Sequence, residues 1–114
     1  MPKGLLLIFS KPVNADREDA YNRWYDHVHL QEVTSVEGIV TGTRYQISEQ
    51  QMIPGSNIAE LPYLAAYEIE ADDPKTAIQN LLANRRNFSR EDQTLDGESA
   101  ISVFFEQITE PVTS

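Results

Sequence analysis

Six segments with a regular hydrophobic pattern follow one another in the order strand, helix, strand, strand, helix, strand, and few folds accept that order. The first, residues 4–10, is a continuous apolar run closed by Lys11-Pro12. Its length and boundaries predict a strand buried on both faces. Helical character begins at Asn14-Ala15-Asp16-Arg17-Glu18-Asp19. Asn14 or Asp16 can cap free backbone N–H groups, and acids in the first turn suit the positive end of the helix dipole. Tyr21, Trp24, Tyr25 and Val28 then recur at i, i+3, i+4, i+7. That stripe predicts an amphipathic helix to about Gln31, with a looser turn towards Val36.

Gly38 ends this segment, and residues 39–48 read as a second strand. Thr41, Thr43, Tyr45 and Ile47 would share one face, with Val40, Arg44 and Gln46 on the other. Pro54-Gly55-Ser56-Asn57 marks a loop over residues 51–61. Residues 62–69 predict a third strand, with Tyr63, Ala65, Tyr67 and Ile69 on one side. Asp73-Pro74 opens the second helix with an N-cap acid and a first-turn proline. Its core face is Ala77, Ile78, Leu81 and Leu82, and it ends near Arg85. Residues 86–98 are polar, Gly97 marks a turn, and residues 100–108 supply the last strand, Ile101, Val103 and Phe105 alternating with Ser102, Phe104 and Glu106.

The order βαββαβ predicts an α+β, ferredoxin-like fold: a four-stranded antiparallel sheet with both helices on one face. At 114 residues the whole chain, 1–114, is expected to be a single domain. Apolar residues occur on both faces of several strands, although helices can cover only one. The other face should be buried against a second copy, giving a homodimer.

Net charge and cysteine content narrow the function classes. With 9 Lys+Arg against 18 Asp+Glu, the formal charge is −9, which repels a nucleic-acid backbone. The longest apolar run, Leu5 to Phe9, is far too short to span a bilayer and reads as a buried strand better than as a signal-peptide core. The chain has no cysteine, which excludes disulfides and Cys-ligated metals and fits a cytoplasmic protein. No Gly-rich phosphate loop, Gly-x-Ser-x-Gly elbow or His-Glu-x-x-His run occurs.

His27 and His29 are the two histidines. On an α-helix, side chains two positions apart project about 200° apart, so this pair cannot chelate one ion, and no metal site is expected. His29 lies one turn beyond Tyr25 at the edge of the apolar stripe, where it can reach a pocket and act as a general acid or base. His27 lies on the other flank. Tyr45 and Tyr67 on central strands could orient a substrate oxygen or stabilise an oxyanion. Trp24 and Tyr25 are candidates to line such a site, although Trp24 reads first as a core anchor. Arg44 could pair with a substrate carboxylate or join a surface ion pair.

The run Tyr21-Asn22-Arg23-Trp24-Tyr25-Asp26-His27-Val28-His29-Leu30, with Val36-Glu37-Gly38-Ile39, Thr43-Arg44-Tyr45 and residues 62–68, resembles the dimeric α/β-barrel superfamily, nearest to its small EthD-like members. Glu37, where many such proteins have proline, and the additional His27 depart from the pattern. The resemblance implies a dimer packed sheet to sheet, with a pocket between sheet and helices or inside the barrel; a higher oligomer stays open, since such a dimer can itself pair through its helices. Its activities range from cofactor-free monooxygenases through isomerases, cyclases and lyases to members without known activity. The expectation is a cofactor-free enzyme of isomerase, cyclase or lyase type. Its substrate would be a small aromatic or apolar oxygenated metabolite, with His29 moving the proton. The alternatives are a cofactor-free monooxygenase and a non-catalytic small-molecule-binding or accessory dimer.

Overall fold

A computed structural model describes residues 2–88 and 94–114. Four strands form one antiparallel sheet: β1 (Lys3–Ser10), β2 (Ile39–Gln46), β3 (Tyr63–Glu70) and β4 (Ile101–Glu106), in the spatial order β2-β3-β1-β4. The apolar run becomes a central strand, β1 pairing with β3 on one side and with β4 on the other. It is buried on one face and not on both: Leu6 and Ser10 lie beneath the helices, while Leu5 on the opposite face is exposed, because no helix covers that side. The fold is the expected ferredoxin-like α+β arrangement.

The first helix is interrupted in an informative way. A 3-10 turn (Ala15–Arg17), capped by Asn14 Oδ1 accepting from the Arg17 amide, leads into α1 (Glu18–Trp24). A π-helical turn (Tyr25–His29) follows, in which the Leu30 amide reaches the Tyr25 carbonyl five residues back, and then α2 (Leu30–Thr34). One extra residue in a turn rotates everything after it. The apolar stripe therefore passes from Tyr21, Trp24 and Tyr25 to Val33 and Val36, and Val28, expected on the buried face, is exposed. The second helix, α3 (Pro74–Asn84), starts as expected, Asp73 Oδ1 accepting from the Lys75 amide. Ala77 is buried and Ile78 and Leu81 pack on the core, while Leu82 lies outside it.

A second irregularity sets the faces of β2. Ile39 lies opposite Ile69 and Thr41 opposite Glu68, so Val40 is the unpaired residue of a bulge. Val40 is accordingly exposed instead of sharing a face with Arg44. Beyond the bulge, Gly42 and Arg44 face the helices opposite Tyr67 and Ala65, while Tyr45 faces away beside Leu64. Gly38 closes the turn from α2 into β2 with φ +96°, and a Cβ there would lie 2.7 Å from the Ala77 Cβ. Glycine is needed at that position both for its backbone angle and for the approach of α3.

The core lies between the helices and one sheet face, built from Leu6, Tyr63, Ala65, Tyr67 and Ile69 below and Tyr21, Trp24, Tyr25 and Val33 above. The opposite face carries no helix and leaves Leu5, Tyr45, Ile101 and Phe105 exposed. Among the described residues, no helix is long and apolar enough to cross a membrane.

Candidate functional site

Tyr25 is the centre of a buried aromatic cluster, because the π turn holds it and His29 on the same side of the helix. The His29 ring stacks on the Trp24 indole, with centroids 4.5 Å apart and planes 16° apart. It meets Tyr25 edge-on at 5.1 Å and Phe88 at 5.8 Å. Its Nδ1 lies 3.3 Å from Glu32 Oε1, one helical turn onward. A carboxylate at Nδ1 favours the tautomer protonated there. Glu32 was not among the sequence candidates, although its i+3 spacing from His29 is a readable signal.

Arg44 enters the same cluster from the sheet. Its guanidinium carbon lies 4.6 Å from the Tyr25 ring centroid, 5.1 Å from that of Tyr63 and 5.3 Å from that of Tyr21. Nη1 donates to Asp26 Oδ1 at 2.7 Å and Nη2 to Asn22 Oδ1 at 2.9 Å. Arg44 is thus an internal cation caged by three tyrosines, with two of its nitrogens bound to the protein's own groups.

The tyrosine hydroxyls are less evenly served. Tyr21 shares a 2.5 Å hydrogen bond with Ser10 Oγ, and Tyr63 donates to Glu18 Oε2 at 2.5 Å. Tyr67 has no exposed surface and lies near the Tyr25 phenol. Its ring packs so closely on Gly42 that a Cβ there would come within 2.9 Å of Cε1. Among the described residues its hydroxyl meets no partner at hydrogen-bond geometry, and neither do Trp24 Nε1 or Arg44 Nε. Burial pushes the Tyr25 and Tyr67 phenols well above the ordinary tyrosine range; Tyr21 raises Tyr25 further and Tyr25 raises Tyr67, while Tyr67 and Arg44 lower Tyr25 and Arg44 lowers Tyr67. Tyr21 is raised by burial too, against the Ser10 hydrogen bond and the Arg44 charge.

The structure therefore gathers Trp24, Tyr25, His29, Arg44 and Tyr67 between the first helix and the sheet. It leaves Tyr45 on the other sheet face, apart from them. His27 is exposed. No group of three potential metal ligands occurs among the described residues. Asn22, Asp26, Ser10 and Phe88 join the cluster without having been singled out. Their contacts depend on the π turn and on strand register, neither of which announces itself in residue types.

No protein-family model matches the sequence, nor does any curated protein. Solved structures do match the fold. A Dabb family protein with a ferredoxin-like fold from Mesorhizobium loti superimposes with a TM-score of 0.61 at 9% identity, over 96% of this chain and 100% of that one. A dimeric ferredoxin-like protein from an uncultured marine organism gives 0.56 at 15% identity, over 97% and 100%. HapK from Hahella chejuensis gives 0.57 at 13% identity, over 97% and 98%. The described residues have the ferredoxin-like fold that two of these structures are named for.

Proposed function

We propose that the protein is a homodimer that binds a small aromatic or apolar oxygenated molecule between its first helix and its sheet, and that the His29–Glu32 pair moves a proton on it. The observation that carries this reading is the buried Tyr67 hydroxyl, which has the Tyr25 phenol near it but meets no partner at hydrogen-bond geometry; Trp24 Nε1 is buried without one as well. Leaving such groups unpaired costs about 1–3 kcal/mol each, and a substrate oxygen would satisfy them. His29 Nε2 would remove a proton α to a carbonyl, and the enolate oxygen would take the hydrogen bond from Tyr67. Isomerisation, cyclisation or elimination follows from such an enolate. Attack of oxygen on an activated phenol, as in a cofactor-free monooxygenase, is a variant using the same base.

One substitution separates a site from a flaw in packing. Tyr67→Phe removes the orphan hydroxyl, so it is expected to raise the urea midpoint by the equivalent of about 1 kcal/mol while lowering turnover about tenfold or more. His29→Gln should lower turnover about 100-fold with the fold intact. Turnover is followed by absorbance and oxygen uptake against a panel of small phenols, quinols and enol lactones. A Tyr67→Phe protein that is more stable and fully active would defeat the proposal. The ring of His29, packed between Trp24 and Phe88, supports the second reading, a binding dimer without chemistry; no turnover anywhere in the panel would favour it.

The dimer is supported by the bare sheet face, where Leu5, Ile101 and Phe105 stay exposed. A face of this kind in a single copy is an association surface. Phe105→Glu should convert the protein from dimer to monomer in sedimentation, raising the dissociation constant about 100-fold or more. A wild-type protein that sediments as a monomer at all concentrations contradicts the assembly.

A further inference from the structure

We infer that the chain carries a second small-molecule site, on the sheet face away from His29, beneath the long connection from β2 to β3. A cleft of about 290 Å³ opens there, walled by Phe9, Tyr45, Ile47, Ile58 and Leu64. Its rim carries neutral polar groups, Gln46, Gln51 and Asn57 among them, and none of the lining residues is charged. The volume suits a molecule of one or two rings, at the small end of ligand pockets. The lining defines its chemistry: a neutral, largely apolar compound with a hydroxyl or carbonyl at one end, for which the amide side chains supply partners. Carboxylates and phosphates would find no cation here, in a chain of net charge −9.

The backbone of the wall carries the second observation. Ala59 and Glu60 are consecutive non-glycine residues in the left-handed region, at φ 47° and 60°. Such angles persist only where the surroundings hold them, and they concentrate at ligand-binding loops. Here they are held by a 2.7 Å hydrogen bond from the Leu61 amide to the Ile58 carbonyl and by Leu61, which is buried. The strained turn sets Ile58 against the cleft, where a shorter or relaxed connection would let the wall fall away. Tyr45 then has a role distinct from that of Tyr67: it belongs to this site and takes no part in the helix-side one.

The test uses N-phenyl-1-naphthylamine, a neutral two-ring dye that brightens in apolar surroundings, added to the full chain. The expected result is saturable binding of one dye per chain, weakened about tenfold or more by Ile58→Glu. Amide shifts in a heteronuclear NMR titration should be confined to residues 45–47 and 56–64. Ile58 is partly exposed, and a second variant, Asn57→Trp, which fills the cleft from its rim, should also abolish binding. Absence of binding by the wild type would overturn the site, including the case where a second copy of the chain fills the cleft. Binding insensitive to both variants, or shifts centred on Trp24 and His29, would overturn it equally. These outcomes are independent of those for the His29 site, which are read from turnover and stability.

Discussion

Between pH 10 and pH 12 the fold is expected to lose about 4–5 kcal/mol of stability through two tyrosines alone. Tyr25 and Tyr67 are almost wholly buried, and burial raises both phenols above their ordinary value. In the unfolded chain each ionises near pH 10, whereas in the folded protein each stays neutral. Their contribution is therefore fully present below pH 10. It is lost as the pH rises, because the unfolded state releases protons that the folded state retains. Tyr21, raised in the same sense, adds to the loss. Since a domain has only about 5–15 kcal/mol in total, cooperative alkaline unfolding is expected near pH 12. The measurement is urea unfolding across this range, with tyrosinate absorbance recorded in parallel. Tyr25 and Tyr67 should ionise in step with unfolding. Ionisation of all tyrosines before the fold is lost would show that the phenols are reached by water.

Replacing Arg44 by Leu should cost about 3 kcal/mol, the largest effect expected of a single side chain in this cluster. The guanidinium is packed against three rings and donates to two acceptors, and a leucine, which ends at Cδ, discards the cation, both hydrogen bonds and the packing of the guanidinium on the rings. Arg44→Lys separates them. It retains a cation above Tyr25 but not the planar fork that reaches Asp26 and Asn22 together, so about half of the loss should return. Asp26→Asn should cost less than about 1 kcal/mol, because the Asp26 side chain is half exposed and its share of the ion pair is screened. Equal costs for Arg44→Leu and Asp26→Asn in urea unfolding would mean that the ion pair, and not the aromatic cage, holds the site together.

Arg44 also illustrates how far residue patterns carry. The strand alternation over residues 39–48 places Arg44 and Tyr45 on opposite faces, as observed, and the period of residues 62–69 puts Tyr63, Ala65, Tyr67 and Ile69 together in the core. Apolar periodicity and capping chemistry are local, so they are written in adjacent residues. The contacts of Arg44 with Asn22 and Asp26, like the partner Ser10 finds in Tyr21, join residues from different elements and depend on how the helix is phased over the sheet. The π turn decides that phase. Nothing in Tyr25-Asp26-His27-Val28-His29 distinguishes it from an ordinary helical turn, so the sequence alone puts Val28 on the buried face. The uncovered sheet face, by contrast, follows from the element order alone: two helices cannot cover both sides.

The bulge at Val40 has a consequence for how this chain can change. A strand has only two sides, so one unpaired residue works as a parity bit for everything downstream of it. Drawing that residue into the ladder opposite Glu68 would exchange the destinations of Arg44 and Tyr45 without altering either side chain, sending the cation to the bare face and the phenol into the cage, whereas deleting it would leave both in place. The assignment of chemistry to the two compartments of this protein is thus stored in a count of residues. Changes that flatten the bulge, more than loss of Val40 itself, are the ones most able to rewrite it.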